Sequence, residues 1–380
     1  MNTIILGINH NNTLGLIWSL GEAGHNITLL LHNSENNYVA KSRYISRIIL
    51  LKHDDDVIEI LQQVARGLSE KPVVFVSGDD DANLLNEHYA ELSECCYFEG
   101  DGLDGRVNEY RNKDKGEQLA HKCGFEIPET VVVNKSDEIQ SVKLKYPLFI
   151  KANNSINGGK AAMKKCDTIS EATDFVKGLP ESFFPLQVQE FIEKEYEIML
   201  LGCSLYGGNR VICPVANKKI RQFPKNTGGV SWSLSIEVAT HNELKPLVAK
   251  VTQYLKEINY TGNFSAEFLY SQGKYYFLEI NLRNDGTSWL STCSGYNLPD
   301  MVARSFERAD VDSDSCVFRS VHYMNIAYDI HYLINGAVKP LDWFRQLNQN
   351  TCYSHYNKND KRPFFAYLKR YVNPFRLINR

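Results

Sequence analysis

SAEFLYSQGKYYFLEINLRNDGTSW, Ser265 to Trp289, is the stretch on which the reading of the whole chain turns. Two runs rich in apolar and aromatic residues flank Gln272-Gly273, the pattern of a hairpin. Strand side chains alternate between faces. In the second run Tyr275, Phe277, Glu279, Asn281 and Arg283 therefore share one face, and Tyr276, Leu278, Ile280 and Leu282 the other. Glu279 and Asn281 offer oxygen ligands and Arg283 a fixed cation. That set suits Mg2+ bridging phosphates, because Mg2+ prefers hard oxygens and leaves positions for substrate atoms. Glu267, on the first run, completes the set only if the turn cooperates. A two-residue turn opposes Glu267 to Leu278 and sends the two carboxylates to opposite faces. An odd loop or a bulge, with Gly273 supplying a positive φ, opposes Glu267 to Glu279 or Phe277 instead. The odd loop is the expectation. A solvated hairpin with its charges facing water is the plain structural alternative.

The chain around this stretch has 380 residues, 43% of them hydrophobic, which is more than one core usually organises, so two or three domains are expected. A net charge of -3 and a pI near 6.4 argue against general nucleic-acid binding. Nine cysteines, with no CxxC and no Cys/His ligand spacing, point to reduced thiols in a cytoplasmic protein without a zinc site or disulfide framework. The opening MNTIILGINHN lacks a basic region and has too short an apolar run for a signal peptide, and no run approaches a membrane span.

In order along the chain, Thr3 to Ile8 reads as a buried strand, Leu14 to Ala23 as a helix closing at Gly24, and His25 to Leu31 as a second strand. Val57 to Arg66 is an amphipathic helix and Pro72 to Ser77 an apolar run, so the first hundred residues form an open α/β sheet. Glycines 7 and 15 do not make a GxGxxG fingerprint. Asp79-Asp80-Asp81 stands at a strand's carboxyl end, where ligands bind in open sheets, and equally suits a solvated helix start. Asn108 to Pro128 reads as one polar helix with Lys113 near its start. YPLFIK, Tyr146 to Lys151, is a strand with a lysine at its exit, and Asn157-Gly158-Gly159-Lys160 follows in a small-residue loop whose backbone could approach phosphate oxygens, or which could simply be a hairpin turn. In EFIEKEYE, Glu190 to Glu197, backbone groups could meet an adenine edge while a carboxylate reaches ribose, although an acidic linker reads the same way. Arg221, with Lys218 or Lys219, could grip a carboxylate or phosphate bidentately, or belong to a surface charge run.

Lys113 in NKDKGEQLAHKCG, Lys151 in YPLFIK with NGGK, EFIEKEYE, Glu267 in AEF and EINLR at Glu279 to Arg283 occur in the order and approximate spacing of the ATP-grasp superfamily, over roughly Asn108 to Trp289. Within it the chain resembles carboxylate-amine ligases related to D-aspartate ligase and to the large chain of carbamoyl-phosphate synthetase. KKIRQFPKNTGGVSW and DIHYLINGAVKP favour the former. The resemblance implies an α/β fold of three parts: an open parallel α/β sheet (1-106), a two-lobed ATP-grasp domain (107-308, its lid lobe about 145-195) and a C-terminal extension (309-380). It implies that Lys113 and Lys151 contact ATP phosphates under a lid of Ser155 to Lys160 including Gly158 and Gly159. Glu190, Phe191, Ile192 and Glu193 would hold adenine and Glu197 ribose. Glu267, Glu279 and Asn281 would bind two Mg2+ ions, for which Mn2+ could substitute. Arg283 would steady an acyl phosphate, with Arg221 and Lys218 as further catalytic candidates. The lid departs from the pattern in having only two adjacent glycines before Lys160.

The expected activity is ATP-dependent joining of a small carboxylate to an amine through an acyl phosphate. Biotin-carboxylase-like carboxylation and non-catalytic ATP binding are the alternatives. The last twenty residues, KRPFFAYLKRYVNPFRLINR, hold six Lys/Arg, no acid and five aromatics. They suit peripheral contact with anionic lipid or a lipid-linked substrate, or a terminal helix packing its aromatics on the core.

Overall fold

The computed structural model describes every residue except 35, 153-162, 226-228, 308-310 and 373-380, together with all side chains of the described residues but those of 113 and 370-372. The strands are β1 Asn2–Gly7, β2 Asn26–His32, β3 Ile45–Leu51, β4 Val73–Val76, β5 Tyr97–Phe98, β6 Thr130–Val133, β7 Leu148–Ala152 and β8 Lys164–Cys166. They continue as β9 Leu186–Glu190, β10 Tyr196–Leu205, β11 Arg210–Phe223, β12 Gly229–Glu237, β13 Gly262–Ser271, β14 Lys274–Asn281, β15 His322–Met324 and β16 Thr351–Tyr353. The chain divides into two compact units: Met1–Asn108 with Ile198–Ala266 and Asn281–Arg380, and Glu109–Glu197 with Glu267–Ile280.

The first unit opens with a parallel sheet of order β3-β2-β1-β4-β5. β1 lies parallel to β2 on one side and to β4 on the other, so the order reverses beside β1, the place where open sheets leave a crevice at their carboxyl ends. Apolar runs buried on both faces explain the centre: Ile4, Ile5, Leu6, Val73, Val74 and Phe75 are almost fully excluded from solvent. The helix Val57–Arg66 starts where Asp56 accepts from the amides of Ile58 and Glu59, and it buries Ile58, Leu61, Val64 and Ala65 along one stripe. The helix Asp79–Glu87 carries all three aspartates in its first turn, where the helix dipole favours them.

The same unit holds β11 antiparallel to β12, then β12 antiparallel to β15 and β15 parallel to β16. In the second unit β6, β9, β7 and β8 form an antiparallel sheet in that order over a core of Leu148, Ile150, Leu186, Val188 and Val176. The division between units passes through the strands β10, β13 and β14. Two expectations change. The polar segment after Asn108 is two helices, Arg106–Arg111 and Lys113–Lys122, because Asn112 is extended and its side chain caps the second one on the amide of Asp114. Of Val317 to Ile326 only His322–Met324 is strand.

Candidate active site

The β13–β14 turn has two residues, not the odd loop expected: the strands end at Ser271 and resume at Lys274, and Gln272 and Gly273 have φ of 48° and 81°. Two positive φ values match the strand twist, which is why Gly at the second position is preferred. The turn sets Tyr270 across from Tyr275 and Phe268 across from Phe277, and their rings meet at 4.9 and 5.9 Å. Unbroken, that register would put the side chains of Ser265 and Asn281 on opposite faces. Instead Asn281 Nδ2 donates to Ser265 Oγ at 3.2 Å. The alternation of side chains is therefore not continuous from the turn to Ser265 and Asn281. Phe277 is buried and Glu279 exposed. Glu267, two residues from Ser265 on β13, is half-buried. Among the described residues no three His, Cys, Asp or Glu side chains gather at one point. Glu267 and Glu279 carry carboxylate oxygens of the hard kind that Mg2+ prefers.

In the second unit, Lys151 leaves β7 opposite Gln187 of β9 and is buried. Its Nζ meets Glu117 Oε1 at 3.2 Å. Glu117 also accepts from Gln187 Nε2 at 3.2 Å and Gln189 Nε2 at 3.3 Å, so one carboxylate of the helix Lys113–Lys122 gathers a lysine and two carboxamides. A buried ammonium needs such a partner, and the buried Gln187 Oε1 has none among the described residues. Sequence reading missed Glu117. Lys113 opens the same helix. Ser155, Gly158, Gly159 and Lys160 lie outside the described residues.

The linker after β9 is pinned at both ends. Glu190 closes β9 and its amide donates to Glu129 O, while that of Phe191 donates to Pro147 O. Lys165 Nζ sits 4.9 Å from the Phe191 ring centre. Ile192 is half-buried and Glu193 exposed, and the Glu193 carbonyl accepts from Ser271 Oγ at 2.7 Å. Glu195 grips the turn, its amide donating to Tyr270 O and its carboxylate accepting from the amide of Gln272. Glu197 is buried and paired with Lys194.

In the first unit, Arg283 forks onto Asp79 with Nε and Nη2 at 2.7 and 2.8 Å, and its Nη1 donates to Asn284 O at 3.0 Å. The segment it starts is stitched to the carboxyl ends of β1 and β4. Asn12 Nδ2 donates to Ser77 O and Asn284 O, and Asn11 Nδ2 to Gly286 O. Gly7 ends β1 where nothing larger fits, since a Cβ there would lie 2.5 Å from Ser77 Oγ and 2.7 Å from Thr13 Oγ1. Asp79 was visible in the sequence as part of an acidic run; Asn11, Asn12 and Ser77 carried no signal. Asp81, from the same run, is buried and meets His32 Nε2 at 2.8 Å, which raises the His32 pKa through that hydrogen bond.

Arg221 is engaged elsewhere. A bulge in β11 falls at Ile220, and the guanidinium forks onto Asp329 at 2.8 and 2.7 Å while donating to Gln346 Oε1 at 2.8 Å. Asp329 is fully buried and also accepts from Ser231 Oγ and Trp343 Nε1, both at 2.9 Å. Lys218 stands on β11 opposite Leu234, half-buried.

The family model of the ATP-grasp domain matches residues 118–295. The large chain of carbamoyl phosphate synthase from Saccharolobus solfataricus is 22% identical over 295 residues, 72% of this chain. The chain spans 28% of that relative's length. N5-carboxyaminoimidazole synthetase from Staphylococcus aureus, solved with ADP, superposes with a TM-score of 0.67 at 15% identity, over 88% of this chain and 85% of that one. L-amino acid ligase from Bacillus licheniformis does so with a TM-score of 0.58 at 16% identity, over 80% and 74%. At these identities the superpositions show a shared fold.

Proposed function

From the match of residues 118–295 to the ATP-grasp domain, we propose that the chain is an ADP-forming ligase, with ATP and Mg2+ as cofactors, that joins a small carboxylate to an amine. The match of residues 118–295 to the ATP-grasp domain supports this reading most, with Glu267 and Glu279 on the hairpin strands β13 and β14 carrying the hard carboxylate oxygens that Mg2+ prefers. Glu267, Glu279 and Asn281 hold Mg2+, which when bound neutralises the phosphate charge. Lys151, kept in place by Glu117, neutralises phosphate oxygens, and Lys113 adds a second cation. Glu190 and the backbone of Phe191 to Glu193 meet adenine and Glu197 meets ribose, on a linker that the amides of Glu190 and Phe191 pin to Glu129 and Pro147.

The chemistry is two displacements. A substrate carboxylate oxygen bonds to the γ-phosphorus as the bond to ADP breaks, giving an acyl phosphate. The amine nitrogen then bonds to the acyl carbon, phosphate leaves, and the nitrogen loses a proton. Arg283 already presents its fork to a carboxylate, that of Asp79, in the geometry it would use on a carboxylate substrate or on the acyl phosphate. Arg221 acts at a distance, as a residue that fixes β11 beside Lys218.

The test is phosphate release screened over pairs of carboxylates and amines, with hydroxylamine added to trap the acyl group as a hydroxamate. Turnover requiring both substrates, a hydroxamate, and its loss in Glu279→Gln are expected. Release with bicarbonate and no amine would carry the carboxylating alternative instead. ATP binding without turnover on any pair would leave a nucleotide-binding protein.

A further inference from the structure

An apolar cavity of about 330 Å3 opens in the C-terminal part of the first unit, and none of its lining residues is Asp, Glu, Lys or Arg. Ile326 and Ile330 from the helix Ile326–Ile334, and Phe364 and Leu368 from the helix Arg362–Val372, face it at i, i+4 spacing, with Tyr353 and Tyr356 beside them. Its volume stands at the small end of ligand pockets, about 300–1,000 Å3. The apolar stripes do not stop at the cavity. Ile330 and Leu368 at its mouth are 37% and 39% exposed, Phe365 is 58% exposed, and Ile334, the next step of the Ile326-Ile330 row, is 71% exposed.

The helix Arg362–Val372 has further anchors. Tyr367 stacks on His355 at 4.0 Å and meets Tyr38 edge-on at 5.1 Å, and Pro363 is buried. Its outward side combines the exposed Phe365 and Leu368 with the exposed cations Lys361, Arg362 and Lys369, and Lys361, Phe365 and Lys369 fall on one row four residues apart. From Lys361 to Arg380 the sequence has six Lys/Arg and no Asp or Glu. An apolar, aromatic face rimmed by cations alone complements the boundary of an anionic bilayer: phosphates for the cations, acyl chains for the rings. A lining of mostly aliphatic and aromatic side chains with no Asp, Glu, Lys or Arg suits an acyl chain better than a charged protein segment.

We propose that this face docks the protein on an anionic membrane surface, with one lipid acyl chain entering the cavity between Ile330 and Leu368 and Lys361 and Lys369 at the lipid phosphates. The site works independently of the ligase reading, so each can fail alone: phosphate release with soluble substrates reads one and lipid binding the other.

The full chain is sedimented with vesicles of phosphatidylglycerol in phosphatidylethanolamine, and with phosphatidylcholine alone, at low and high salt. Binding to the anionic vesicles that high salt weakens, and little binding to phosphatidylcholine, is expected. Lys361→Glu/Lys369→Glu lowers the partition at least about fivefold per residue, the worth of one basic side chain near an anionic surface. Phe365→Ser lowers it too, and Ile330→Phe, which fills the cavity mouth, lowers it with the charges intact. All variants are checked for an unchanged melting curve. Equal binding to both vesicle types, or wild-type binding by the charge and cavity variants, overturns the proposal. So does a wild-type dimer that Phe365→Ser turns into a monomer without any change in lipid binding.

Discussion

Arg221 and Arg283 make the same interaction with opposite surroundings. Each forks onto an aspartate through Nε and Nη2 at 2.7 to 2.8 Å. Asp329, under Arg221, is fully buried and takes two further hydrogen bonds; Asp79, under Arg283, is 56% exposed at the first position of a helix. A buried pair is fixed because separating it strands a charge in low dielectric. An open one can trade its carboxylate for another from solution at little cost. Pair geometry alone therefore does not tell a scaffold arginine from a working one, and the burial of its partner does.

The comparison is broken most directly at Asp329. Asp329→Ala leaves the guanidinium of Arg221, and the donors of Ser231 and Trp343, without their acceptor, and about 3–5 kcal/mol of stability should be lost in urea unfolding. A loss below about 1 kcal/mol would place this pair with the exposed ones. Arg283→Ala should do the reverse, leaving stability within about 1 kcal/mol of wild type because Asp79 is half in water. On the ligase reading it should lower kcat about 10²- to 10³-fold, as the removal of one donor to a developing charge does. An Arg283→Ala protein that melts far below wild type would mean that the open pair is scaffold as well.

Lys151 and Glu117 test the rule in the second unit, where both partners are nearly buried, at 10% and 13% side-chain exposure. Unlike Asp329, Glu117 also serves two glutamines, so Glu117→Gln keeps a polar side chain among them while releasing the lysine. The expected result is a KM for ATP raised about tenfold, or about 1.4 kcal/mol, with a smaller change in kcat. Unchanged KM with lowered stability would make Glu117 a structural partner only.

What the sequence disclosed follows the range of the physics. The strand at residues 3 to 8, the helix Val57–Arg66 and the strand-linker-strand around EFIEKEYE are periodic or locally capped, and local signals find them. Two positive φ values at Gln272-Gly273 are equally local, but an odd loop was expected there because the reading required the carboxylates to converge, and the two-residue turn replaces it. Glu117 sits in a helix rich in charged residues, 34 residues from Lys151 and 70 from Gln187, and Asp329 is 108 residues from Arg221. Partnerships at that range depend on which strands become neighbours. The grouping of Ile198–Ala266 with the first hundred residues is of the same kind.

The smallest effect concerns His32 and Asp81, a pair between the two extremes, with side chains 37% and 8% exposed. The hydrogen bond to Asp81 raises the His32 pKa above its ordinary value near 6.5, and burial opposes it. Because the folded-state value is the higher one, the stabilisation is complete below the unfolded pKa and fades as pH rises through the folded one. His32→Gln should therefore cost stability at mildly acid pH and progressively less at alkaline pH. The whole difference should stay within about 1 kcal/mol, because water screens the half-open imidazole. Urea unfolding of wild type and His32→Gln across that range reads the difference directly. A gap that is constant with pH would mean that neutral His32 holds Asp81 as well as the imidazolium does, and that the burial of one partner is not enough to make a pair depend on its charge.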